Sequence, residues 1–160
     1  MSLELWELAS YMVTVVGLPL AIFVFYFQQR KERENEDEEV YQMLSDNYVA
    51  FMKVVLANPD LRLRTRSTLE SPSEEQLERL TILYEMLISL FERAYLLAYD
   101  EDLTEKAARR WKSWEDYMRE WCVRKDFRER LPRLLEGEDI EFAAYITHLA
   151  QEEARRAQNG

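Results

Sequence analysis

Residues 82–99 read ILYEMLISLFERAYLLAY, an apolar run interrupted mainly by Glu85, Ser89, Glu92 and Arg93. A helix that is apolar nearly all round is one that other helices surround. The stretch therefore predicts the central helix of an all-α bundle. Toward the N-terminus, Ser71-Pro72 followed by Glu74 matches a capped helix start with proline in the first turn, and the helix so begun is expected to run to about Tyr99. Before it lies a loop, roughly residues 59–71, in which Leu61, Arg62, Leu63, Arg64 and Arg66 alternate apolar with basic. Further back, Tyr41, Leu44, Tyr48, Phe51 or Met52 and Val55 recur at three- and four-residue spacing, which puts one apolar stripe on a helix ending at Asn58-Pro59.

Toward the C-terminus a third helix is expected from about Thr104, with Asp102 and Glu105 as its cap pair. Trp111, Trp114, Met118 and Trp121 step along it by three, four and three residues, most simply a core-facing seam. A sharper alternative sets these indoles with Arg110, Lys112 and Arg119 against anionic lipid headgroups. A short helix, about residues 127–135, is expected to be interrupted by Pro132 and stopped at Gly137. Asp139 then caps a last helix to about Ala157, with Phe142, Tyr145 or Ile146 and Leu149 as its stripe. Residues 40–157 are thus expected to form an antiparallel helical bundle.

The N-terminal part has a different character. Residues 8–27, LASYMVTVVGLPLAIFVFYF, carry no charge, and about 20 helical residues cross a hydrocarbon core of about 30 Å. They predict one transmembrane helix. A cleaved signal peptide fits less well, because Glu4 and Glu7 precede the run and no small-residue cleavage site precedes Gln28. Arg30, Lys31 and Arg33 follow at once while no lysine or arginine comes before. The positive-inside rule accordingly puts the short N-terminus, residues 1–7, outside and the bundle in the cytoplasm. Trp6, Tyr11 and Tyr26 stand where interfacial anchors would. Ser10, Thr14, Gly17 and Ala21 draw a stripe of small residues suited to self-association or to docking another span. Pro19 is expected to kink the helix near Gly17. Residues 28–39, QQRKERENEDEE, read as a charged helical stalk. A rod from Gln28 to Ala57 with the next helix folded back brings Lys106, Arg109 and Arg110 level with the stalk. These cations sit where the macrodipole disfavours them, so contact with lipid headgroups or with Glu36, Asp37, Glu38 and Glu39 is expected.

Composition narrows the function classes. The chain has 160 residues, a formal net charge of -10, three glycines and four prolines. That leaves room for one domain plus an appendage, and the acidity argues against nucleic acid as a partner. Glu85 and Glu92 share a face two turns apart, a spacing that acid–base or dimetal chemistry can use. A dimetal bundle also needs Glu-x-x-His, and the single histidine, His148, has Tyr145 three residues before it. Pairing of the two glutamates with arginines of neighbouring helices is the expectation. The lone cysteine, Cys122, reads as a small apolar side chain and His148 as a boundary residue. The acidic stalk lacks the spacing and turn glycine of a calcium loop. Catalytic, metal and cofactor residues are expected to be absent, and no small-molecule substrate is inferred.

Three stretches, WELASYMVTVVGLPLAIFVF with QQRKERE, LSDNYVAFMKVVLANPDLRL and WEDYMREWC, together resemble a group of bacterial single-span membrane proteins with a helical cytosolic domain. The resemblance covers most of the chain and implies a fold and an inner-membrane address, with no activity or site residue to carry over. The expectation is a non-enzymatic, self-associating scaffold or interaction module on the cytoplasmic face of a bacterial membrane, its partners being lipid and itself or another membrane protein. The alternative is a small oligomeric channel or membrane-disrupting effector, which would need a polar or ionisable face along the span. Only Ser10 and Thr14 supply polarity there, both toward the outer end.

Overall fold

The computed structural model describes residues 15, 17–65, 68–100 and 104–159. Among them there are five α-helices and no strand: α1 Leu18–Ala57, α2 Glu74–Ala98, α3 Glu105–Cys122, α4 Lys125–Leu134 and α5 Ile140–Asn159, with a 3-10 turn, Pro59–Leu61, after α1. Contacts divide the chain into two units, Met1–Val40 and Tyr41–Gly160.

In the first unit Pro19 is the second residue of α1, residues 15 and 17 before it are π-helical, and no glycine or proline recurs before Pro59. The expected borders at Phe27 and Glu39 are therefore changes of chemistry within one helix and not breaks in it. The large apolar side chains of residues 18–27 are all exposed, from 44% at Val24 to 67% at Tyr26. Among the described residues no helix is long and apolar enough to cross a membrane, since α1 as described offers only residues 18–27 before its charged run. Residues 8–14 and 16 of the expected span lie outside the described residues.

The second unit holds the core. Leu44, Tyr48, Phe51 and Val55 are buried on α1, so Phe51 and not Met52 completes the stripe. They meet the tryptophan seam of α3. Tyr48 lies edge-on to Trp114 at 5.8 Å and stacks on Tyr117 at 4.4 Å, Phe51 is edge-on to Trp121 at 5.7 Å, and Trp121 Nε1 donates to the Tyr48 hydroxyl at 3.3 Å. Trp111, Trp114, Met118 and Trp121 are all buried, as their spacing predicts. After α1, Arg62 takes a left-handed φ of 48° and its N–H bonds the Pro59 carbonyl, turning the chain so that Leu61 and Leu63 point inward.

Helix α2 starts two residues later than Ser71 suggested. Ser73 Oγ accepts the Gln76 N–H and Gln76 Oε1 accepts the Ser73 N–H, a complete capping box. Thr104, not Asp102, caps α3 through the Ala107 N–H; Asp102 itself lies outside the described residues. Arg79 at the start of α2 reaches Asn58 and Asp60 beyond the end of α1, at 2.7–3.1 Å. At the other end Trp111 packs on Tyr95 and Tyr99, while Arg110 lies on Tyr41. Neighbours α1 and α2 are thus antiparallel, and so are α2 and α3, because Trp121 arrives back at Tyr84.

Antiparallel alternation of successive helices holds through α5. Tyr145 meets Trp111 and Glu152 meets Arg119, so α5 runs parallel to α3. The reason is α4, which makes the return stroke along α2, with Phe127 on Tyr84 at 5.0 Å. Pro132 does not interrupt α4: it stands in the last turn, where the one lost bond is next to a terminus, and Leu135 N–H still closes on the Leu131 carbonyl at 2.9 Å. Gly137 then supplies a φ of 92°, and Asp139 Oδ1 caps α5 through the N–H groups of Glu141 and Phe142.

Candidate functional site

The residues singled out in the sequence fall into separate places. Ser10, Thr14, Trp6 and Tyr11 lie outside the described residues, whereas Ala21 and Tyr26 are exposed on α1 and Gly17 precedes it. On the first turns of α3, Arg109 lies 3.4 Å from its own Glu105, Arg110 sits 4.8 Å from the centre of the Tyr41 ring, and Lys106 is exposed. The π face of Tyr41 thus offers Arg110 part of the compensation that the helix N-terminus denies it. No feature of the sequence pointed to that ring.

Arg119 is largely buried against carboxylates of its own chain. It holds Glu115 and Glu152 at 2.7 Å and Glu153 at 3.2 Å. The Tyr145 hydroxyl donates to Glu115 at 2.9 Å and accepts from Trp111 Nε1 at 3.1 Å. Burial opposes the charge on Arg119, but the carboxylates outweigh it and raise the guanidinium above its ordinary range.

The paired glutamates also part company. Glu85 is exposed, while Glu92 accepts the Asp139 N–H at 2.6 Å and so ties α2 to the start of α5. Neither pairs with an arginine among the described residues, contrary to the expectation; the backbone N–H before α5 competed successfully for Glu92. Glu138 lies beside Glu92, which raises its carboxyl above the ordinary range, with burial adding to the effect. His148 is 64% exposed and 3.8 Å from Glu152. Burial first, then Glu153, pushes the Cys122 thiol up to about 12, so no thiolate nucleophile is present near neutrality. Among the described residues no cluster of three histidine, cysteine or carboxylate side chains could hold a metal ion.

One polar centre escaped the sequence reading altogether. Arg124, 3% exposed, clasps Asp126 with two nitrogens at 3.1 and 2.7 Å, donates to the Tyr84 hydroxyl at 3.1 Å and bonds the carbonyls of Arg62 and Thr65 at 2.9 and 2.7 Å. Tyr84 in turn donates to Asp126 at 3.0 Å, and burial raises its phenol far above the usual range. Arg124 sits in RKDFRER, where nothing sets it apart from its charged neighbours. The clasp fixes the 62–65 loop over the end of α3, leaving a shallow cavity of about 150 Å³ between Leu63, Thr65, Trp121 and Val123. Arg64 bridges it by pairing with Glu120 while lying 5.7 Å from the Trp121 ring centre. Every charge here is matched within the chain, and no nucleophile stands beside a base.

What is left open is a surface. On α2, Ile82, Met86, Leu96 and Leu97 are 48%, 44%, 58% and 51% exposed, together with Glu85, Ser89 and Arg93. No family model matches the chain, and neither a curated protein nor a solved structure does.

Proposed function

We propose that this chain is a non-enzymatic, membrane-anchored helical module that binds a second copy of itself at the cytoplasmic face of a bacterial membrane. The observation that carries the reading is the exposed apolar segment at residues 18–27, followed directly by Arg30, Lys31 and Arg33. Leaving it in water costs about 25 cal/mol for each Å² of apolar area, and the uncharged residues 8–17 extend it in sequence to the length of a span. Lipid chains for the apolar part and anionic headgroups for the cations are the surroundings that suit both. The bundle supports a binding role over a catalytic one, since its buried polar groups are spent on one another. A pore is disfavoured because residues 18–27 contain no ionisable group except the Tyr26 phenol.

Fractionation tests the anchor. The full chain should sediment with membranes, resist a high-salt wash and be released by detergent. Recovery in the soluble fraction would sink the reading. Orientation follows from labelling with an impermeant thiol reagent in intact cells: Ser2→Cys should react and Gln158→Cys should not.

A further inference from the structure

We infer that the outer face of α2 joins two copies of this chain, with the two α2 helices side by side and parallel about a two-fold axis. The inference deepens the proposed self-association and rests on it. Ile82, Ser89 and Leu96 recur every seven residues and so share a line along the helix. Glu85 and Glu92 flank that line on one side, Met86 and Arg93 on the other. The face is turned away from the core, which α2 reaches through Leu80, Leu83, Leu87, Phe91 and Ala94, and its apolar side chains are about half exposed. Ser89, the smallest of the set, stands at its middle and lets two backbones come close.

Charge fixes both the occupant and its direction. In a parallel pair related by a two-fold axis, each residue meets the opposite flank of its partner at the same height. Glu92 then faces the partner's Arg93, Arg93 faces the partner's Glu92, and Glu85 lies beside the partner's Met86. Inverting one helix about Ser89 brings like flanks together, which sets Glu85 against the partner's Glu92, a repulsion that disfavours the antiparallel pair. The face is therefore complementary to itself in one direction only.

A second observation agrees. Glu92 and Glu138 crowd each other, and among the described residues neither forms an ion pair; nor does the exposed Arg93. The contact delivers a cation to the two carboxylates that lack one. Glu92 keeps its bond to the Asp139 N–H, since a carboxylate accepts several hydrogen bonds.

Cysteine scanning of the full chain in membranes tests the contact, with copper phenanthroline as oxidant. The buried Cys122 serves as the silent background. Ile82→Cys alone and Leu96→Cys alone should each give a disulfide-linked dimer, because equivalent positions meet. A dimer that appears only when the two variants are co-expressed means antiparallel packing and overturns the inference. No dimer from either, or from Ser89→Cys, with the chain still in the membrane fraction, overturns it while leaving the anchor standing; a soluble chain that still cross-links has the opposite meaning. In detergent, Arg93→Glu should weaken dimerisation at least about tenfold, and an unchanged dissociation constant counts against the pairing.

Discussion

Arg124 shows how little a single buried charge announces itself in a sequence. A guanidinium offers five N–H donors in a fixed fork, and here the fork is spent on one carboxylate, one phenol and two carbonyls. Replacing it with methionine strands Asp126 and those carbonyls, so Arg124→Met should cost about 3–5 kcal/mol in denaturant unfolding. Arg124→Lys should recover little, since an ammonium cannot span the fork; a loss below about 1 kcal/mol would mean that water replaces the clasp. Glu138 supplies a pH dependence of definite sign. Its folded-state carboxyl is raised, chiefly by Glu92, so the folded chain binds the proton more tightly than the unfolded one. Stability from this group is present below the ordinary carboxylate range and falls as pH rises through the raised value. Glu138→Gln should therefore stabilise the chain near neutrality and flatten that part of the profile, and melting curves from pH 4 to 8 would read the difference. Both groups were illegible for one reason: pairing across helices depends on which charges the fold brings together, and spacing along the chain does not encode that.

Elements were far easier to read than residues, because periodicity is a local property. The stripe Leu44, Tyr48, Phe51 and Val55, the tryptophan seam of α3 and the Asp139 cap all lie where their spacing put them. Errors came at boundaries, where two local signals compete. Ser71 and Ser73 both have the spacing of a cap, with Glu74 three residues after the first and Gln76 three after the second. The structure selects the Ser73–Gln76 box. Ser73→Ala should cost about 1 kcal/mol and Ser71→Ala close to nothing. Chemical denaturation of the two variants separates the assignments, and equal losses would count against the box. The parallel course of α5 beside α3 follows from the expected antiparallel order, because the short helix α4 stands between them and alternation makes every second helix parallel.

Among the described residues every buried one lies between Leu44 and Glu153, although the most apolar run in the sequence lies before Gln28. Hydropathy alone marks both as places that avoid water; it does not say which avoids it by folding. The core of the second unit closes on itself through the Tyr48, Trp114 and Trp121 contacts, and the large apolar side chains of residues 18–27 stay exposed. The two properties should therefore separate on cutting. Residues 41–160 expressed alone should fold cooperatively, leave the membrane fraction, and unfold within about 4–8 °C of the full chain in detergent, the shift that roughly 1 kcal/mol produces for a small domain. Tyr41 at the new terminus loses the helical turn before it, so its seat under Arg110 should fray first, and hydrogen exchange should be fastest there. A fragment without a cooperative transition would mean that the first unit is part of the folding unit after all. A fragment that still pellets with anionic vesicles, but is released when Lys106, Arg109 and Arg110 are changed to glutamine, would assign the start of α3 to the headgroups. Loss of all membrane association instead places the whole of the anchor before Tyr41.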